Sequence, residues 1–191
     1  EAFGQLRLGL GVQASRNTVK LPTTNNTTPE LWRELHDVAG QYSTIDRVPV
    51  VATLRECGNV GIAGPSVSSH PLAAATIGQL VGVHSPSELV LAALCTASSV
   101  GRWEWLKWLP HSGGDHSPLG AEHLVASPNA VVALVAALED LIETRSATKR
   151  DEKQLALPLV IVLVEDDAAT DRARLVRIAE SGPTNGVHLV W

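Results

Sequence analysis

The chain has 191 residues, 45% of them hydrophobic, which suits one α/β domain with a sizeable core better than two full domains. Its formal net charge is −5 and no stretch is rich in Lys and Arg, so a nucleic-acid-binding surface is not expected. The only cysteines, Cys57 and Cys95, predict neither a disulfide framework nor a zinc ribbon, and they favour a reducing, cytoplasmic environment.

The sequence shows no signal peptide and no apolar run long enough to span a bilayer, so the chain by itself is expected to be soluble. It contains no Met and begins with Glu-Ala, which suggests a piece excised from a longer protein. We therefore expect any membrane attachment to come from segments outside this sequence.

The N-terminal part predicts a strand, a loop and a helix. Apolar residues alternate with others over residues 6–12, as in a half-buried strand. A Thr and Asn loop at 25–28 contains two glycosylation patterns, which a cytosolic protein would not use. Pro29, after Thr28, predicts a helix start. We expect a single domain over 1–191 in which residues 1–45 form an N-terminal strand and loop region.

Residues 59–83 have the layout of a phosphate-binding segment. A short buried strand is predicted for 59–63, a tight Gly/Pro/Ser loop for 64–69, and a helix for 71–83. In a P-loop, G-x-x-x-x-G-K-[ST], the loop N–H groups surround the phosphates, the Lys contacts them and the hydroxyl binds Mg²⁺.

The chemistry of that loop is degenerate here. Gly64 supplies the first glycine, but Ser69, His70 and Pro71 replace Gly, Lys and Ser/Thr. Ser69 adds a Cβ, His70 is mostly neutral near pH 7, and Pro71 lacks an N–H although it suits a first helical position. From these residues alone, an ordinary βα turn is the simpler interpretation. The candidate phosphate-facing residues are Gly64, Pro65, Ser66, Ser68, Ser69 and His70.

The second half of the chain alternates strands and helices, which predicts a mostly parallel sheet with right-handed crossovers. Residues 88–97 form a buried strand or a helical turn, since periodicity cannot distinguish the two. A helix opens at Ser127-Pro128, and a charged loop is expected at 145–153. The remaining elements are a central strand at 157–164, a helix at 171–181 and a strand at 187–191.

Acidic residues follow the central strand, about a hundred residues after the P-loop-like turn. This is the arrangement of a Walker B motif, in which one carboxylate holds Mg²⁺ and a neighbour orients water. Asp166 and Asp167 are the candidates. Acids at this position also cap a following helix, and the pattern alone favours that interpretation.

Two further clusters have structural alternatives. Trp103, Trp105 and Trp108 cannot share one helix face, so at least one is expected to leave the core and either anchor a partner or pack locally. The polar residues of the following loop show no convergence, so a structural or docking role is preferred to a metal site; they are His111, Asp115, His116 and His123. An arginine finger is conceivable among three later arginines, but a solvated helix face is preferred; they are Arg172, Arg174 and Arg177.

The sequence resembles the EccC membrane ATPases of type VII (ESX) secretion, in the FtsK/SpoIIIE superfamily. The resemblance covers most of the chain and is carried by LRLGLG, RVPVVATL, VGIAGP, HSPL, DRARLVRIAESGPTNGVHLVW and, most specifically, RWEWLKWLPHS. It is to the membrane-proximal part of that protein and implies a RecA-like fold. It also implies a place at the cytoplasmic face of the plasma membrane, with other domains of the same chain, secretion-complex subunits and a hexameric motor as partners.

The departures from that family's G-K-[ST] pattern set the functional expectation. Lys, Mg²⁺-binding hydroxyl and one N–H are missing, and each charge-assisted contact contributes about 1.5 to 3 kcal/mol. No cofactor is expected to bind tightly, and any binding of Mg-ATP is expected to be weak. The leading hypothesis is a non-catalytic coupling domain. The alternatives are a low-affinity Mg-ATPase completed by a neighbouring subunit and an FtsK-like DNA translocase, which the acidic charge disfavours.

Overall fold

The computed structural model describes residues 4–21, 28–148 and 156–191. The glycosylation patterns at 25–28 lie almost wholly outside these ranges, as does part of the predicted charged loop. The chain divides into two compact units, one formed by residues up to Leu6 with Thr53–Trp191 and the other by Arg7–Ala52. The expectation of a single domain with an N-terminal region 1–45 stays a prediction.

The unit Arg7–Ala52 contains a two-stranded sheet and a helix. The strands are β1 (Gln5–Ala14) and β2 (Thr44–Thr53), and the helix is α1 (Pro29–Gln41). The predicted strand and helix start are therefore confirmed. None of the described side chains in this unit is buried. It therefore has no core of its own among its described residues.

The larger unit is built on a parallel four-stranded sheet in the order β4-β3-β5-β6. Its strands are β3 (Leu89–Leu94), β4 (Leu124–Val125), β5 (Leu159–Val164) and β6 (Val187–Val190). Every residue of β3, β5 and β6 is buried, as expected for parallel strands covered on both faces. This confirms the predicted α/β fold, consistent with a RecA-like domain, and identifies residues 89–94 as a strand.

Helices cover both faces of this sheet. On one face, called the α5 face, α5 (Pro128–Ala147) and α6 (Arg172–Ser181) pack on side chains such as Val162. On the other, called the α3 face, α3 (Ser66–Val83), α4 (Val100–Trp103) and a 3₁₀ helix (Glu104–Trp108) pack on side chains such as Leu163. The remaining helical segments are α2 (Leu54–Cys57) and a 3₁₀ turn (Pro183–Asn185). No described helix has the length and apolar character needed to cross a membrane.

Helix starts on the α5 face follow the sequence signals. Ser127 caps α5 by accepting a hydrogen bond from the N–H of Ala130, and Asp171 caps α6 by accepting from that of Ala173. The predicted solvated loop from residue 145 is wrong at its beginning, because α5 continues to Ala147. Arg145 is buried, and its guanidinium donates to the carbonyl of Pro158 at 2.7 Å. A buried cation is tolerated there because backbone carbonyls accept hydrogen bonds from its N–H groups.

The segment before α3 and the start of α3 differ from prediction. Residues 59–63 do not form a buried strand; they make one isolated parallel bridge, between Val60 and Val190. α3 begins at Ser66, so the predicted loop 64–69 is mostly helical. The reason is that the Pro65 carbonyl accepts the N–H groups of Ser68 and Ser69, at 2.8 and 3.0 Å. Pro71 consequently lies inside the helix instead of starting it.

Candidate functional site

A cavity of about 730 Å³ lies at the carboxyl ends of β5 and β6, on the side of the sheet where α3 begins. The residues that end these strands, Val164 and Val190, border it, as do residues 61–64 and Trp103. The carboxyl edge of a parallel sheet is where open α/β folds bind ligands, because loops and helix N-termini meet there. This cavity is therefore the candidate site.

Part of the predicted phosphate-facing set lines the cavity. Gly64, Ser66, Ser69 and His70 border it, whereas Pro65 and Ser68 are not among the lining residues. The N–H groups of Ser68 and Ser69 already donate to the Pro65 carbonyl, so they do not point at a ligand. Two of the backbone donors that would face phosphate in a P-loop are thus used inside the first turn of α3.

His70 contacts a cation on one side and an acid on the other. An Nη atom of Arg102 lies 2.6 Å from its Nδ1 and 3.2 Å from its Nε2. Both ring nitrogens of His70 are therefore within contact distance of the Arg102 guanidinium. Nε2 faces a carboxylate oxygen of Glu165 at 3.6 Å. The residue at the Lys position is thus engaged within the protein.

Glu165 is the acid that points toward this cluster. It follows β5 directly, and its side chain is 14% exposed. It accepts a hydrogen bond from the indole Nε1–H of Trp103 at 2.5 Å, and the Trp103 ring meets the His70 ring edge-on. Four side chains from three parts of the chain therefore form one connected group at the cavity: His70, Arg102, Trp103 and Glu165.

The predicted Walker B acids lie farther out. The side chains of Asp166 and Asp167 are exposed, and only Asp166 borders the cavity. Asp166 pairs with Arg172 at 3.1 Å. Their assignment as Walker B residues stays a prediction. Sequence reasoning grouped Glu165 with them but did not select it; the available signal was its place immediately after the last strand residue.

Cys95 follows β3, and the charge of the Glu165 carboxylate affects the pKa of its thiol. Burial, and secondarily the charge of Glu165, raises the pKa of the Cys95 thiol to about 12. The thiol is therefore protonated at neutral pH and is a poor nucleophile. This cysteine contributes packing, and no thiol chemistry is expected from it.

The His-containing loop does not bring its side chains together on one centre. His111 is buried and bonds through Nε2 to the carbonyl of His84 at 2.8 Å, whereas His123 bonds through Nε2 to Ser117 at 2.7 Å. Asp115 and His116 are exposed. Within the part of the chain that the structure describes, no three His, Cys, Asp or Glu side chains form a metal-binding group.

The tryptophans separate as predicted. Trp103 is 2% exposed and belongs to the α3-face core, whereas Trp108 is 80% exposed, which confirms that at least one ring leaves the core. Of the three later arginines, Arg172 pairs with Asp166 as described, and Arg174 binds both oxygens of Glu139, at 3.0 and 2.6 Å. Arg172 and Arg174 are thus each paired with an acidic side chain of this chain.

Much of the chain is similar to curated EccC proteins of ESX secretion systems. The ESX-4 secretion system protein EccC4 of Mycobacterium tuberculosis is 34% identical over 113 residues, which are 58% of this chain and 9% of that protein. The ESX-3 secretion system protein EccC3 of the same species is 32% identical over 139 residues, 66% of this chain and 10% of that protein.

A third relative extends the matched region. The ESX secretion system protein EccC of Geobacillus thermodenitrificans is 20% identical over 168 residues, 87% of this chain and 11% of that protein. The chain thus spans about a tenth of the length of the curated relatives it matches. No model of a protein family matches the chain.

Proposed function

Because this chain is related to the EccC proteins of ESX secretion systems, we propose that it is a degenerate ATPase-like domain of a type VII secretion motor. In this role it turns over no nucleotide and couples or assembles a membrane anchor with ATPase modules elsewhere in a longer protein. Its partners are other domains of that protein, arranged as a hexamer, and other subunits of the secretion complex, at the cytoplasmic face of the plasma membrane.

One observation carries the non-catalytic part of this proposal: the residue at the P-loop Lys position is a histidine that is engaged within the protein. The carboxylate of Glu165 lies 3.6 Å from His70, the residue at the P-loop Lys position. No Lys or Arg is among the described lining residues to present the fixed positive charge that a P-loop Lys presents to phosphate. The helical start of α3 adds to the effect, because the N–H groups of Ser68 and Ser69 donate to Pro65 and not to a ligand.

Arg102 favours a second candidate, a low-affinity Mg-ATPase. Its guanidinium contacts His70 at 2.6 Å, so it is a fixed cation within one side chain of the Lys position. In this alternative, Arg102 turns toward a phosphate and a neighbouring subunit completes the site. The net charge of −5 gives no corresponding support to a DNA-translocating role.

Calorimetric titration with Mg-ATP, together with a turnover assay, tests the proposal. We expect no saturable binding at physiological ATP and phosphate release at background. A double variant, Asp166→Asn with Asp167→Asn, should give the same background. Mg²⁺-dependent turnover that disappears in the double variant would contradict the proposal, and turnover per molecule that rises with protein concentration would support the second candidate.

A further inference from the structure

We propose that the cavity at the carboxyl edge of the sheet binds a basic side chain, preferentially the guanidinium of an arginine, presented by a segment of a protein partner. This inference rests on the proposed function, because it names what occupies the degenerate site in place of a nucleotide. Three features of the cavity lead to it: the charges that face it, the chemistry of its walls and its size.

The charges that face the cavity are acidic. Glu165 and Asp166 line it, Asp166 being paired with Arg172 at 3.1 Å, and among its described lining residues none is Lys or Arg. His70 also lines it and contacts Arg102. The Glu165 side chain is 14% exposed, and its described partners are the indole N–H of Trp103 and the His70 ring. A carboxylate that is largely withdrawn from water and has no Lys or Arg as a described counter-charge attracts a cation strongly.

Arg102 does not supply that counter-charge from inside. It contacts the His70 ring, yet it is exposed and is not among the lining residues. The structure therefore places the Arg102 cation beside the cavity, and no described ion pair joins it to the carboxylate of Glu165. In the proposal, a cation brought by a partner reaches Oε2 of that carboxylate, whose described neighbour is His70 at 3.6 Å.

The walls favour a guanidinium over an ammonium. The indoles of Trp103 and Trp191 border the cavity, together with aliphatic side chains such as Leu163 and Val190. A guanidinium is planar and weakly hydrated, so it stacks on indole faces and enters an apolar site at lower cost than the compact, strongly hydrated ammonium. Arginine also offers paired N–H donors that match a carboxylate.

The size fits a side chain with its flanking residues. At about 730 Å³ the cavity falls among ordinary ligand pockets, which span roughly 300 to 1,000 Å³. This space exceeds what one guanidinium needs, so residues on either side of the arginine also find room. The volume therefore accommodates an arginine together with flanking residues of a peptide segment.

The indole Nε1–H signal of Trp103 in a ¹H–¹⁵N spectrum provides the measurement, since that N–H donates a hydrogen bond to the Glu165 carboxylate. The signal is assigned by its loss in Trp103→Phe. The probe is the blocked tripeptide Ala-Arg-Ala, and the matched control is the same peptide with citrulline, which has the shape of arginine without its charge. We expect saturable shifts of this signal with the arginine peptide and none with the citrulline peptide.

Two variants that each remove one negative charge separate specific from general attraction. Glu165→Gln should weaken the arginine peptide about tenfold or more, since a charged hydrogen bond is lost. Asp167→Asn, which changes an exposed residue outside the lining, should leave the affinity within about twofold. Equal weakening by both variants, or equal shifts by the two peptides, would overturn the inference. The peptide comparison in the unaltered protein decides the matter even if Glu165→Gln does not fold.

Two further probes, agmatine and Mg-ATP, test whether the cation must belong to a peptide and whether this inference and the proposed function fail separately. Agmatine carries the guanidinium without a peptide; binding as tight as that of the arginine tripeptide would overturn the assignment to a peptide segment. Mg-ATP titrated into the same sample should leave the Trp103 signal unmoved. Mg-ATP and the arginine peptide both shifting it would overturn only the non-catalytic proposal, whereas Mg-ATP shifting it alone would overturn both.

Discussion

The two long helices of the larger unit pack on opposite faces of one sheet and are built in different ways. α5 starts with a Ser127 cap and with Pro128 at its first position, and its buried residues recur at helical spacing. α3 starts after Pro65 with no side-chain cap and carries Pro71 in its interior. Its 18 residues include no Asp, Glu, Lys or Arg.

This difference shows where local sequence rules are relaxed. α5 follows the rules of capping, proline placement and amphipathic pattern. A cavity of about 640 Å³ also lies against α5, with Glu122 and Asp140 in its wall, but no His or Trp is among its described lining residues. α3 departs from the rules of capping and proline placement, and its first turns form a wall of the cavity that His70 and Glu165 border. Local inconsistency of this kind is expected at functional sites, where a ligand or partner and not helix stability selects the residues.

The largest expected effect sharpens the structural side of this comparison. Leu138 on α5 is fully buried in the α5-face core. Leu138→Ala removes packing and leaves a cavity, so we expect a loss of about 2 to 5 kcal/mol in the free energy of unfolding. Urea denaturation followed by circular dichroism measures it. The control is Val132→Ala on the same helix, where the side chain is 54% exposed and a change below about 0.5 kcal/mol is expected. Equal losses would contradict the packing described for α5.

A smaller effect, of opposite sign, is expected on α3. Pro71 cannot donate an N–H to the carbonyl of Val67 one turn earlier, so Pro71→Ala should raise the free energy of unfolding by about 1 kcal/mol. Pro128→Ala is the matched control, because a proline at the first helical position has no such N–H to lose, and it should be near neutral. Destabilisation by Pro71→Ala, measured as a lower thermal midpoint, would mean that the proline stabilises α3 in a way that helix geometry does not explain.

The smallest expected effect is a pH dependence of stability that comes from the α3 face. His188, in register with Ile161 on that face, is buried, and burial lowers its pKa; burial likewise lowers that of His84 at the end of α3, below the usual 6.5. As the pH falls below 6.5, the unfolded chain binds protons before the folded one does, so stability is full above that pH and is lost below it. The urea midpoint should therefore be lower at pH 5.5 than at pH 7.5.

A variant tests the source of that pH dependence. His188→Gln removes one titrating group, so the difference between the two urea midpoints should shrink. An unchanged difference would place the pH dependence elsewhere in the chain.

Much of the fold could be predicted from the sequence where one signal dominated. The continuous aliphatic run of β5 indicated a strand covered on both faces, and Ser127-Pro128 indicated the start of α5. The start of α3 could not be predicted in the same way. Proline is tolerated in the first turn of a helix and disfavoured in its interior, so Pro71 suggested a helix start. The carbonyl of Pro65, which accepts two N–H groups, decided the start five residues earlier.

The candidate site was predicted in its location more than in its residues. His70 was named, and it lies at the cavity; Asp166 and Asp167 were named and are exposed, and of the two only Asp166 borders the cavity. Arg102 and Trp103 come from a segment 32 residues or more after His70, and no local pattern connects them with it. Partners so far apart in the chain become neighbours only when α3 and α4 pack on the same face of the sheet.

The sequence by itself determined the alternation of strands and helices, the buried parallel strands and the relation to EccC proteins, because apolar runs, caps and shared motifs are properties of neighbouring residues. Only the tertiary structure decided that Glu165, and not the two aspartates after it, faces His70. That outcome depends on the direction in which a side chain leaves the end of β5, and the packing of α3 and α4 over that strand end sets which neighbours it meets.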